Sequence, residues 1–389
     1  MKRRPKSNKL KPLLMLDYLL LFGVLAILSL YALQTLLFWV GLRRGQSKAS
    51  EPQLVEPVVS IVVAARNEEQ HLPHLLESFR HLNYPPEKTE ILIVDDHSQD
   101  YTRQIAQNFA QGDARFYLLS AQEPSQNLNG KANAIDTAIA AARGEIIVIT
   151  DADCRIPPDW LRAHLKYYSK SIAMVGGFVL PENCNSAHHL FASLQALDWL
   201  YLCAVGAGGA GRGRALSIFG NNFSFRKSAY LQVGGFAGAG FSVIEDFALM
   251  RAMQRANHNI ALAADPDMLV RTEPALSVRE FYHQRKRWVL GGRGISLAGL
   301  YALSLSFISK IVPLFVLFWA DIDAFLLVFA WLAVADFLLA CSAARQIRYF
   351  KPLKVAPLHF FFAMAYSIAF APIFFLAKSV VWKGRRYKT

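Results

Sequence analysis

Cysteine is scarce in this chain, four in 389 residues, and Cys154, Cys184, Cys203 and Cys341 form no C-x-x-C pair and no zinc-type spacing. No zinc ribbon or redox pair organises the fold, and a reducing compartment fits that usage. A Gly-x-x-x-x-Gly-Lys-Ser/Thr phosphate loop is missing, as is a Ser/His/Asp triad signature, which argues against an ATP-driven pump and a hydrolase. His71, His74, His81, His97, His188 and His189 lack zinc-like spacing with other ligands, so surface and capping roles account for them. Internal repeats and low-complexity tracts are absent. Acidic residues are the minority charge, 29 against 42 Lys and Arg, for a net charge of +13.

That surplus invites nucleic acid as a partner, but its location argues against it. Lys2, Arg3, Arg4, Lys6, Lys9 and Lys11 precede an apolar run, and Arg43, Arg44 and Lys48 follow it. Arg345, Arg348, Lys351 and Lys354 separate two further runs, and Lys383, Arg385, Arg386 and Lys388 lie after the last. These groups outweigh the whole net charge, so the remainder is near neutral and the basic residues serve orientation and contact with membrane lipids.

Apolar length is what the chain has in abundance: 53% of its residues are hydrophobic. Leu13 to Val40 is interrupted only by Asp17 and Gln34, which suits a transmembrane helix after a basic tail, over 1–45. A cleaved signal peptide is the bland alternative; the core is too long for one and no small-x-small site follows. Leu297–Ala320, Ala324–Ala343 and Val355–Trp382 predict about three more helices over 297–382, before a basic tail at 383–389. The segment 56–293 has ordinary soluble patterning. Orientation cues conflict. The N-terminal basics favour an outside domain, whereas the loop Arg345–Lys354 is inside only if the domain is too.

Within 56–293, strand and helix alternate four times, predicting an α/β fold with a mostly parallel sheet. Val58–Ala65 reads as a strand, with Glu68 in the loop that opens a helix carrying Leu72, Leu75, Leu76 and Phe79. Glu90–Val94 ends in Asp95 and Asp96, and Phe116–Leu119 is a third strand. Gly130-Lys131 opens an Ala-rich helix, and Ile146–Ile149 leads to Asp151 and Asp153. Two carboxylates spaced i, i+2 on extended backbone project to one side, at the rim where open α/β sheets bind ligands. Hard divalent ions such as Mg²⁺ or Mn²⁺ suit such acids together with phosphate oxygens, so this pair predicts a metal site for a nucleoside diphosphate. Farther on, Val175–Val179 predicts a strand, His188–Val205 an amphipathic helix, and Gly206–Gly213 a mobile glycine-rich loop or a phosphate cradle beside Arg212 and Arg214. A helix is expected over Ser242–Asn257, and Gln284, Arg287 and Trp288 share a face if their stretch is helical.

The order Asn-Glu-Glu (67–69), Val-Asp-Asp-x-Ser (94–98), Gly-Lys-Ala (130–132), Asp-x-Asp (151–153), Glu-Asp (245–246) and Gln-x-x-Arg-Trp (284–288) resembles the membrane-bound family 2 glycosyltransferases of GT-A fold, such as cellulose, hyaluronan and poly-N-acetylglucosamine synthases. The resemblance covers about Val58 to Gly292. It implies inverting, metal-dependent transfer of a hexose or N-acetylhexosamine from a UDP-sugar to a growing polysaccharide. Transfer to a membrane lipid (polyprenyl phosphate, diacylglycerol or carotenoid) is the alternative, and a catalytically silent scaffold a third reading. Asp95 and Asp96 would contact the nucleoside, or else form a solvated turn; Glu68 would shape its pocket or cap a helix. Lys131 would meet the diphosphate or stay a surface lysine, and Asp151 and Asp153 would hold Mg²⁺ or Mn²⁺. Asp246, helped by Glu245, would be the general base, against the reading of a helix-capping acid. Gln284, Arg287 and Trp288 would serve hydroxyls, diphosphate and sugar, or form an interfacial helix on the membrane. Ala248 replaces an acid many relatives carry, and Gln195–Trp199 departs from the Glu-Tyr of polymer-forming ones. An accessory membrane subunit is a candidate partner, and an inner or cell membrane with a cytoplasmic catalytic domain the expected location, since nucleotide-sugars are made in the cytosol.

Overall fold

The computed structural model describes residues 10–46, 56–123, 128, 130–182, 189–240, 242–377, 379–382 and 385–388. Lys2, Arg3, Arg4, Lys6, Lys9, Lys48, Cys184, His188 and Lys383 lie outside them.

A long helix, α1 (Leu10–Gln46), leads to the sheet domain. Its first half is β1 (Val59–Ala65), α2 (Leu72–Arg80), β2 (Thr89–Asp95), α3 (Thr102–Gly112), β3 (Phe116–Ser120), α4 (Gly130–Ala141) and β4 (Ile146–Asp151). Leu72, Leu75, Leu76 and Phe79 are all fully buried, the face their spacing predicts. After α5 (Trp160–Leu165) come β5 (Ile172–Gly177), β6 (Val179–Pro181), α6 (His189–Gly211) and β7 (Phe223–Arg226). Then follow α7 (Lys227–Gln232), α8 (Gly235–Ala239), α9 (Glu245–Arg255), β8 (Asn259–Ala263), β9 (Val270–Thr272) and α10 (Val278–Gly291).

The seven-stranded sheet runs β3-β2-β1-β4-β7-β5-β8. Only β7 is antiparallel to its neighbours, so the sheet is mostly parallel, the α/β class the alternation predicts. The chain steps outward from β1 to β3 and returns to β4 on the other side of β1. That reversal opens a crevice at the carboxyl ends of β1 and β4. Register aligns Ala65 with Asp95 and Ala64 with Asp151, placing both acids on that rim, about 10 Å apart across β1.

The region 189–213 departs from expectation. Instead of an amphipathic helix and a glycine loop, one helix, α6, continues to Gly211, and most of its residues are buried. The glycines serve helix packing. A Cβ on Gly208 would lie 2.5 Å from the Phe38 carbonyl oxygen, and one on Gly211 would lie 1.9 Å from that of Gly41. Small residues on both helices let α1 and α6 touch backbone to backbone.

Beyond α10 lie α11 (Leu297–Trp319), α12 (Ile322–Gln346) and α13 (Ala356–Leu376). The last apolar run ends as helix at Leu376 rather than Trp382; β10 (Ser379–Trp382) and β11 (Arg385–Lys388) form a hairpin after it. Five helices among the described residues are long and apolar enough to cross a membrane, α6 being the one not expected. In α6, 61% of the most apolar window is buried inside the protein, against 17% in α1, so α6 is an interior helix. Large side chains such as Phe22, Phe318 and Leu327 stand exposed on α1, α11 and α12, the lipid-facing pattern of spanning helices. Asp336 does not stand alone at mid-helix. It pairs with Lys310 and accepts from Tyr31, which also bonds Tyr201 at 2.9 Å, tying four helices together.

Candidate active site

Two loops at the ends of β1 and β2 are cross-linked before any ligand arrives. Asn67 and His97 hold left-handed backbone, with φ of 53° and 58°, which lets each strand end turn sharply. The Asn67 amide donates to Ser98 Oγ at 3.1 Å, and Gln99 N–H donates to Asn67 Oδ1 at 2.9 Å. Glu68 lies in this turn rather than at a helix start: its carbonyl accepts from Leu72 N–H at 2.9 Å, and its own amide donates to Thr102 Oγ1 at 2.7 Å. Asp95 accepts the Ser98 amide at 3.2 Å and faces Arg103 at 3.5 Å. Asp96 faces Arg66 at 3.6 Å and His97 at 3.2 Å. Both acids are buried, so the solvated-turn reading does not hold for them.

Lys131 is the hub of the site. Gly130 opens α4 with φ of 58°, and the next side chain carries its ammonium to Asp151 at 2.6 Å and Glu245 at 3.1 Å. It is not a surface lysine; 13% of its side chain is exposed. The two carboxylates beside it hold its pKa above the ordinary lysine value. Lys131 and Arg287 in turn hold the Glu245 carboxyl below its usual range. Asp246 goes the other way: burial and the adjacent Glu245 charge push its carboxyl up to about 7. One oxygen accepts the Phe247 amide at 2.8 Å, so a capping contact exists beside any catalytic role.

Two glycines make room for this pair. A Cβ on Gly220 would lie 2.7 Å from Asp246 Oδ2, and one on Gly291 would lie 2.3 Å from Ile244 Cγ1. Gly291 brings the end of α10 against Ile244, the residue just before α9. Neither contact is readable locally, because each depends on elements distant in sequence.

Gln284, Arg287 and Trp288 do lie on a helix, α10, capped by the Ser277 side chain. The structure separates their surroundings. Arg287 acts electrostatically on Glu245 and Asp246. Trp288 packs edge-on against Trp199, with ring centroids 5.0 Å apart, under the Arg285 guanidinium at 4.3 Å. Gln284 Oε1 is buried without a hydrogen-bond partner among the described residues. Arg285, unremarked in the sequence, is the buried anchor: it donates to Asp198 at 2.5 Å, and Tyr366 donates to the same carboxylate at 2.6 Å.

At the end of β4 the expected geometry changes. Ala152 and Asp153 form a turn, with the Cys154 amide 3.2 Å from the Asp151 carbonyl, so the two acids are not on continuous extended backbone. Cys154 is buried beneath, and burial pushes its thiol up. Among the described residues no cluster of three metal-ligating side chains occurs. Two partly exposed carboxylates fit an ion that takes its remaining ligands from phosphate and water, the usual arrangement for Mg²⁺.

Residues 60–246 match the family described as Glycosyl transferase family 2, a match that runs to Asp246 itself. Relatives include a beta-monoglucosyldiacylglycerol synthase from Trichormus variabilis, 27% identical over 278 residues, 70% of this chain and 56% of that protein. A 4,4'-diaponeurosporenoate glycosyltransferase from Staphylococcus haemolyticus is 27% identical over 203 residues, 51% of this chain and 52% of that protein. The chain spans about half the length of the curated relatives it matches. Among solved structures, the mannosyltransferase PcManGT from Pyrobaculum calidifontis, in complex with GDP-Man and Mn²⁺, shares the fold with TM-score 0.56 and 20% identity over 91% of this chain and 98% of that one. Together with the strand order and the rim of acids, these matches identify residues 60–246 as a family 2 glycosyltransferase domain of GT-A fold, carried on a chain whose flanking helices are long and apolar enough to span a membrane.

Proposed function

We propose that the chain transfers a hexose or N-acetylhexosamine from a UDP-sugar to a hydroxyl of a membrane lipid, with inversion at the anomeric carbon. The observation that carries the chemistry is the buried Asp246 carboxyl, pushed up to about 7, beside the Lys131–Asp151–Glu245 ion-pair cluster. A base of that pKa retains proton affinity near neutral pH, which suits a general base. Asp246 takes the proton of the acceptor hydroxyl; that oxygen bonds to the anomeric carbon as the bond to the diphosphate oxygen breaks. Asp95, Asp96 and Glu68 line the end of the crevice assigned to the nucleoside, and Lys131 and Arg287 set positive charge where the diphosphate leaves. Asp151 and Asp153 would hold Mg²⁺ or Mn²⁺ on the donor diphosphate, and the ion supplies stabilisation of the leaving charge.

A lipid acceptor is supported by the relatives, which are named for diacylglycerol and carotenoid-type acceptors, and by α10, which packs against α13 and, at Gly291, against Ile244 just before α9. Extension of a polysaccharide is the second reading, favoured by the Gln-x-x-Arg-Trp order before membrane helices. We place the domain on the cytoplasmic face, where nucleotide-sugars are made.

The test uses the full chain in lipid nanodiscs with Mg²⁺ or Mn²⁺ and a panel of radiolabelled nucleotide-sugars. Label entering the organic phase with one UDP-sugar supports the lipid acceptor, and label in a high-mass aqueous fraction replaces it with the polymer reading. Full turnover in excess chelator would remove the metal. Orientation is read by an impermeant thiol probe on Leu231→Cys, a residue 64% exposed on the domain surface; labelling in right-side-out vesicles would overturn the cytoplasmic placement.

A further inference from the structure

Arg214 is left without a task once the glycines before it are seen to pack α6 against α1. It lines a cavity of about 670 Å³, whose wall includes none of the donor-crevice acids, between the edge strand β8 and the carboxyl end of α9. Gly45 at the end of α1, Gly211 at the end of α6 and Ser296 at the start of α11 also border it. Two helices long and apolar enough to span a membrane, α1 and α11, thus meet the domain at this opening, and lipid headgroups lie where such helices leave a bilayer.

The cavity's charge has one sign. Arg214 and Arg251 both line it, with His258, and its lining includes no carboxylate. Among the described residues neither arginine forms a salt bridge. The Arg251 side chain donates to Gln254 Oε1 over a long 3.4 Å. Gln254 is fixed in turn by donating to the Ala215 carbonyl at 2.8 Å, which ties the α9 end to the segment after α6 that carries Arg214. The end of α9 presents carbonyls, so attraction for an anion rests on the guanidinium groups rather than on the helix dipole. Planar guanidinium forks match phosphate oxygens.

We propose that this cavity binds the phosphate of an anionic membrane phospholipid through Arg214 and Arg251. The site is separate from the donor crevice. Yet α9 is common to both: Asp246 stands at its first turn and Arg251 about 7.5 Å along its axis, so an occupied cavity braces the helix that carries the base.

The test is native mass spectrometry and fluorescence binding on the full chain, delipidated and titrated with phosphatidylglycerol, phosphatidylcholine or inorganic phosphate. Phosphatidylglycerol is expected to bind in preference to phosphatidylcholine, with the preference falling about tenfold or more in Arg214→Gln/Arg251→Gln. Arg214→Lys/Arg251→Lys, which keeps the charge, should retain most of it and controls for folding. Equal binding of both lipids, or an unchanged preference in the Gln variant, would overturn the site. Displacement of the lipid by inorganic phosphate at equal concentration would overturn the lipid as its occupant.

Discussion

At the scale of single residues, the proposed activity rests on two adjacent acids driven in opposite directions. Glu245 shares Lys131 with Asp151 and stays ionised, while Asp246 bears the burial and the Glu245 charge. Asp246→Asn is expected to lower turnover by on the order of 10²–10⁴-fold while UDP still binds, measured by nucleoside-diphosphate release and calorimetry. Wild-type turnover would remove it as the base. A base works ionised, so the rate should rise with pH through about 7, the value to which Asp246 is pushed. Glu245→Gln removes the neighbouring negative charge and leaves Lys131 acting on Asp246, so the rising limb should move to lower pH. A limb that stays in place or moves up would contradict this coupling. The acids themselves were legible in the sequence, as was Lys131 at a helix start. That Lys131 bridges Asp151 and Glu245 was not, because the bridge needs β4 and α9 brought to one rim.

At the scale of elements, the largest misreading was α6. Glycine-rich segments ordinarily read as turns, since glycine weakens an isolated helix by about 1 kcal/mol per residue. Tertiary packing reverses that preference here: Gly208 and Gly211 are where α1 passes too close for any side chain. Gly208→Ala would drive a Cβ to 2.5 Å from the Phe38 carbonyl oxygen, and is expected to cost about 1–3 kcal/mol as the helices separate. Thermal unfolding in detergent measures it; an unchanged midpoint would show that the crossing is not tight. Strands β1, β2 and β4, by contrast, appear where apolar β-prone runs predict them, because their burial on both faces leaves a continuous apolar signature.

At the scale of the whole molecule, the catalytic domain and the membrane helices share buried polar links. The Asp198 carboxylate on α6 receives Arg285 from α10 and Tyr366 from α13, with His359 at 3.7 Å. Arg285 thereby fixes the helix that carries Gln284, Arg287 and Trp288. Arg285→Ala strands a buried carboxylate and is expected to destabilise by about 3–5 kcal/mol. Asp198→Asn with Arg285→Met should recover part of that, and a double-mutant cycle on unfolding midpoints checks it. Strictly additive losses would mean the pair is not coupled.

Local pattern was enough for the α/β class, the four long apolar runs at the two ends of the chain, and the acids at the strand ends, because strand and helix periodicities are properties of neighbouring residues. Pairings across the fold were beyond it. Arg285 and Asp198 are 87 positions apart, and Lys310 and Asp336, though only 26 apart, meet across two helices whose packing the sequence does not state. Tertiary structure also decided that Asp246 is buried beside Glu245 and Lys131. Burial and charge proximity, which set its proton affinity, exist only once β4, α4 and α9 converge.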